Sequence, residues 1–153
     1  MKRVSLSVLT VLMILGALPL LAQENFTEGA VSRVVHIRIL PGRATDFWAD
    51  VRTNLKPLFE EYKKQGLLVN YSFFTKATTE SEEDWNVGFR LDYQNYAALE
   101  GLAARTDPIS LKIYGSREAR TAAQNRRAEN QRTVHSFLIR QVDPRPMTSP
   151  APK

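Results

Sequence analysis

Residues 85–93 read W-N-V-G-F-R-L-D-Y, in which Trp85, Val87, Phe89, Leu91 and Tyr93 alternate strictly with Asn86, Gly88, Arg90 and Asp92. Successive side chains of a strand point to opposite faces, so this pattern predicts a β-strand with one apolar and one polar face. A sheet covered on both sides reads instead as unbroken apolar runs. The alternation therefore predicts an antiparallel sheet covered on one side only.

The flanking segments extend that reading. L-L-V-N-Y-S-F-F-T-K, 67–76, is rich in aromatic and β-branched residues and predicts a second strand. The acidic connection T-E-S-E-E-D, 79–84, lacks the alternating Asp/Asn and the glycine of a calcium loop and reads as a solvated link. Further upstream, Phe47/Trp48, Val51, Leu55, Leu58/Phe59 and Tyr62 recur at steps of three and four, which predicts one amphipathic helix over 43–65. Gly66 closes it, and Pro57, with no N–H to offer the carbonyl of Thr53, predicts a kink. Before the helix, residues 31–40 form the first strand, ended by Pro41-Gly42.

Downstream, residues 94–105 are helical, and Asp107-Pro108 reads as an N-cap and first helical position that restart the helix. Gly115-Ser116 marks a further break before an Arg- and Ala-rich helix over 117–131, and R-T-V-H-S-F-L-I-R-Q-V, 132–142, is the last strand.

The ends of the chain carry other signals. Lys2 and Arg3, an apolar run over 8–18 and a small residue at Ala22 read as a secretory signal peptide over 1–22, with an uncleaved anchor as the alternative. Residues 23–30 read as a linker, 31–142 as the folded domain, and 143–153 as a disordered proline-rich tail. The expected location is secreted or periplasmic, with no membrane association once the signal is removed. Without Lys2 and Arg3, 19 basic side chains face 16 acidic ones, a net charge of +3. So mild a balance, with no basic stripe, argues against nucleic acid as a partner. With no cysteine, disulfides, thiolate nucleophiles and Cys-based metal sites are all excluded.

Strand, helix, strand, strand, helix, strand is the order of a split βαβ, or ferredoxin-like, α+β fold: a four-stranded antiparallel sheet with its helices on one face. Over 31–142 the chain resembles the dimeric α/β-barrel superfamily, which includes cofactor-free monooxygenases, isomerases and cyclases. V-V-H-I-R-I-L-P-G, 34–42, is similar to the opening strand of stress-responsive barrel domains. L-D-Y-Q-N-Y-A-A-L-E-G-L-A-A-R-T-D-P, 91–108, is similar to a passage of NIPSNAP-like chains. The resemblance implies a homodimer with facing sheets, acting on a small organic molecule without a cofactor.

Strand parity then nominates a site. With Val35, Ile37, Ile39, Val69, Tyr71, Phe73, Val87, Phe89 and Leu91 under the helices, the open face holds His36, Arg38, Asn70, Ser72, Asn86, Arg90 and Asp92. His36 is the candidate general base, because an imidazole titrates near neutrality. Arg38 and Arg90 are candidates to hold a carboxylate or enolate oxygen of a small anionic ligand. In the last strand, His135 joins this face if Val134, Leu138 and Val142 pack under the helices, and turns inward if Phe137 and Ile139 do. A metal would need both histidines and Asp92 without any motif of ligand spacing, so none is expected. Neither a glycine-rich phosphate loop nor G-x-S-x-G is present. Two functions fit: an exported small-molecule-binding barrel protein with a possible cofactor-free isomerase, cyclase or monooxygenase activity, and a non-catalytic envelope or interaction protein with a solvated sheet face.

Overall fold

Among the described residues, four strands and four α-helices follow in the order β1 (Phe26–Ile39), α1 (Ala44–Asp50), α2 (Lys56–Lys64), β2 (Asn70–Thr75), β3 (Val87–Tyr93), α3 (Leu102–Tyr114), α4 (Arg117–Asn130) and β4 (Gln131–Pro144). A π turn, Val51–Leu55, joins α1 to α2, and a 3-10 turn, Tyr96–Leu99, precedes α3. The structure, a computed structural model, describes residues 26–78, 81 and 84–145. The expected signal peptide, residues 23–25 of the expected linker, residues 146–153 of the expected tail and part of the acidic connection lie outside the described residues. Glu28–Asp143 form one compact unit, while Phe26, Thr27, Pro144 and Arg145 belong to a second, terminal unit.

The strands form one sheet in the order β2-β3-β1-β4. β3 is antiparallel to both β1 and β2. Gly29 lies against Gln141 while the Leu40 N–H donates to the Asn130 carbonyl, so β4 also runs antiparallel to β1. This is the ferredoxin-like α+β arrangement. The register Val31↔Tyr93, Val35↔Phe89 and Ile37↔Val87 sets one face of the two central strands against the helices. Val31, Ile37 and Val87 are each only 1% exposed, and Ile37 and Val87 pack with Phe47, Val51, Leu55 and Phe59 of the first helical segment. Burying one such aliphatic side chain contributes about 1.5–3 kcal/mol, so this seam is the main source of stability.

The helices differ from expectation at both prolines. Around Pro57 the ladder widens by one residue into the π turn, in which the Lys56 N–H bonds the Val51 carbonyl. That single-turn bulge accommodates the missing donor in place of a simple kink. α3 runs through Asp107-Pro108 without restarting there. The break falls instead at Gly101, in the left-handed region with φ 60°, and the preceding 3-10 turn is capped by Asn95, whose side chain accepts from the Ala98 N–H. Asp107 is drawn away from capping by Arg120 of α4, whose Nη1 donates to its Oδ1 at 2.6 Å. Ser116 caps α4 as an N-cap serine should, accepting from the Ala119 N–H.

Strand limits also shift. The Leu67 and Leu68 N–H groups both donate to the Tyr62 carbonyl, which prolongs the helix end and delays β2 to Asn70. Leu68 is consequently buried, whereas Val69, expected under the helices, is 56% exposed. β1 begins at Phe26, inside the expected linker, and β4 continues to Pro144; pairing of Gly29 with Gln141 extends both strands. α1 is tied to α4 by Arg127, whose Nε donates to Asp50 Oδ2 at 2.5 Å and whose Nη2 donates to Asp50 Oδ1 at 3.2 Å. The same guanidinium also donates to the Tyr114 hydroxyl. With Arg120 and Arg127 thus paired, two arginines of the basic helix serve packing between helices.

Candidate functional site

The outward face of the sheet is set by the register Ser32↔Asp92↔Asn70, Val34↔Arg90↔Ser72 and His36↔Gly88↔Phe74. His36, Asn70, Ser72, Arg90 and Asp92 therefore share this face, and Arg38 has the same parity on β1. They do not act as one group. His36 sits in an aromatic nest: its ring stacks on Trp85 at 4.0 Å and 8°, and meets Phe74, Phe137 and His135 edge-on at 6.0, 5.4 and 5.9 Å. The contacts with His135 and Phe137 put both on the His36 side, although Leu138 and Val142 are exposed at 40% and 46% and do not pack under the helices as that alternative expected. Trp85 departs from its expected face because β3 begins only at Val87, so the alternation has no strand to enforce it at residue 85.

Gly88 makes the nest possible. A Cβ at this position would lie 2.6 Å from the Phe74 ring and 2.7 Å from the Val35 carbonyl oxygen. Burial lowers the His36 pKa below its ordinary 6.5, and the fields of His135 and Lys76 lower it further, against the pull of Asp84. Lys76 pairs with Asp84 and lies 5.5 Å from the centre of the Trp85 ring. The surroundings of His36 thus favour its neutral form.

Arg90 points away from that nest. Its Nε donates to Asp92 Oδ1 at 2.5 Å and to Ser32 Oγ at 3.1 Å, and the Ser32 hydroxyl donates to Asp92 Oδ1 at 2.6 Å. A guanidinium already matched to a carboxylate is poorly placed to hold a ligand's oxyanion. Asn70 accepts from Lys63 Nζ at 3.2 Å. His36 and Arg90 are engaged by separate sets of partners, and among the described residues no three of His, Asp and Glu come together in a way that could hold a metal ion.

On the helix side a cleft of about 430 Å³ opens between β1, the end of α2, the 3-10 turn and α3. Leu67, Leu68, Leu99 and Leu102 supply its apolar wall. Arg33, Tyr62, Tyr93 and Thr106 supply its polar atoms. Burial raises the pKa of both phenols; bonding to Thr106 opposes the shift at Tyr62, and the Arg33 charge opposes it at Tyr93. The volume is within the range of small-molecule sites, roughly 300–1,000 Å³. Parity already places Arg33 with Val31, Val35 and Ile37 on the covered face. A lone charge on an apolar face was the available signal for this cleft, and reading the alternation for polar residues of the opposite face passes it by.

No protein-family model matches the sequence, and no curated protein matches it. Among solved structures the chain is similar to HapK from Hahella chejuensis, with a TM-score of 0.49 and 9% identity over 80% of this chain and 99% of that one. It is also similar to a dimeric ferredoxin-like protein of unknown function from Jannaschia sp. CCS1, with a TM-score of 0.44 and 16% identity over 74% of this chain and 98% of that one. A dimeric protein of unknown function and ferredoxin-like fold from Bacteroides fragilis NCTC 9343 gives a TM-score of 0.41 and 13% identity, covering 76% and 97% of the two chains. At these values the likeness carries no argument about activity, and the fold stands on its strand order and register.

Proposed function

We propose that this is an exported, homodimeric protein that binds a small organic molecule in the cleft between sheet and helices. The cleft of about 430 Å³ is the observation that carries the reading, because it combines a leucine wall with a few convergent polar groups. The N-terminal signal pattern supports export. Apolar side chains left uncovered on β4 support the dimer: Phe137, Leu138, Ile139 and Val142 are 40–46% exposed on an edge strand. Such an edge recruits another chain unless something covers it. The similarity of residues 91–108 to NIPSNAP-like chains belongs to the same reading.

Binding is favoured over conversion at His36. That ring lies in the aromatic nest on the far side of the sheet from the cleft, and Arg90 is engaged by Asp92. The exposed apolar strand β4 favours a second reading, an interaction protein whose working surface is the outward sheet face.

Titration with Nile red, a neutral apolar dye, separates the two. Saturable fluorescence enhancement is expected, and Ala103→Phe is expected to abolish it, because exposed Ala103 lines the cleft and a phenyl ring there would fill it. Far-UV circular dichroism checks that the variant is folded. Dye binding that survives in a folded Ala103→Phe variant overturns the cleft reading in favour of the β4 surface.

A further inference from the structure

We infer that the cleft takes an organic carboxylate with an apolar body, its carboxylate held by Arg33; this deepens the binding role proposed above and rests on it. Arg33 stands on the helix side of a central strand, opposite Leu91 and flanked along β1 by buried Val31 and Val35. The residue is exposed, so its guanidinium reaches solvent at the cleft mouth and is not sealed in the core. Here the gap between the 3-10 turn, α3 and the end of α2 leaves room for the guanidinium at the cleft wall.

Charge decides the ligand class. Arg33 is the one charged residue among those lining the cleft, and no carboxylate lines it. Among the described residues, the ion pairs formed by other arginines leave Arg33 out. A guanidinium presents a planar fork that matches a carboxylate with two parallel hydrogen bonds. A single positive charge suits a monoanion better than a phosphate dianion. Leu67, Leu68, Leu99 and Leu102 then face the rest of the ligand, so its body is apolar. Tyr93, whose phenol lies in the field of Arg33, and the Tyr62–Thr106 pair provide neutral hydrogen-bonding groups beside the carboxylate and add no negative charge to repel it.

Calorimetric titration of the purified protein with decanoate and with 1-decanol tests this, since the two differ in charge and share an alkyl body. Decanoate is expected to bind about tenfold tighter or more, the usual worth of a charge-assisted hydrogen-bonded pair. Arg33→Met is expected to erase that preference by weakening decanoate relative to decanol, and Arg33→Lys to retain part of it. Equal binding of the two ligands, or a preference that persists in Arg33→Met, overturns the carboxylate assignment and leaves the cleft intact as a binding site. Binding of neither ligand, together with failure of Nile red to bind, overturns the cleft reading and this inference with it.

Discussion

His36 lies face to face with Trp85, their rings 4.0 Å apart and 8° from parallel. One residue is the imidazole of β1 and the other stands just ahead of β3, so the stack clips the entry of β3 to the central strand. Phe74, Phe137 and His135 close around its edges.

This contact makes the indole a reporter of the imidazole's charge. Imidazolium quenches indole emission more strongly than neutral imidazole, and the only other tryptophan is Trp48. In a Trp48→Phe background, emission is expected to fall on acidification with a midpoint below 6.5, the direction set by burial and by the His135 and Lys76 charges. The stability consequence follows by linkage. Because the folded-state pKa is lowered, the unfolded chain takes up the proton first. The contribution of neutral His36 is complete above pH 6.5 and is lost as pH falls from 6.5 to the folded-state value. His36→Gln should flatten both curves, and an emission midpoint at or above 6.5 would count against the lowered pKa of the imidazole.

Gly88 is the second test. Alanine there meets the Phe74 ring at 2.6 Å and the Val35 carbonyl at 2.7 Å, so Gly88→Ala is expected to cost about 1–3 kcal/mol in urea unfolding. Adding Phe74→Leu relieves the first clash but not the second, which involves backbone. The double variant should therefore stay well below wild type. Full recovery would mean that the ring alone demands glycine.

The dimer can be tested through β4. Ile139→Arg puts a charge among side chains that are exposed and apolar, with little consequence for the monomer's own core. Light scattering is expected to give twice the chain mass for wild type and the chain mass for Ile139→Arg, with unchanged circular dichroism. A wild-type monomer removes the facing-sheet arrangement.

Much of the fold was legible because its signals are local and periodic. The alternation from Val87 to Tyr93 reports the pairing face correctly, as does the stripe Phe47, Val51, Leu55, Leu58 and Phe59. Parity likewise brought His36, Arg90 and Asp92 onto one face. Parity says nothing about where a long side chain turns, however, and Arg90 turns to Asp92 while His36 turns to Trp85. Phe73 and Phe74 are neighbours in sequence, yet one ring packs on Phe59 of the core and the other on His36 outside it. Leu68 takes the buried place expected of Val69 because helix-end hydrogen bonds to Tyr62 are invisible in composition. Arg33 was the hardest to see. Its significance depends on a gap between three separate elements, and such a gap exists only after they pack.

The place of β1 between β3 and β4 has a further consequence, for the order in which the protein can assemble. β1 is made first, but its two partners arrive late: β3 follows the first helical segment, and β4 starts only at Gln131. A hairpin of β2 and β3 can close locally, whereas the two contacts that flank β1 each require closure of a long loop. The central strand therefore stays unpaired on one edge until almost the whole domain has been synthesised. A segment as apolar as V-V-H-I-R-I, waiting in that condition, is open to association with other chains while the domain is incomplete.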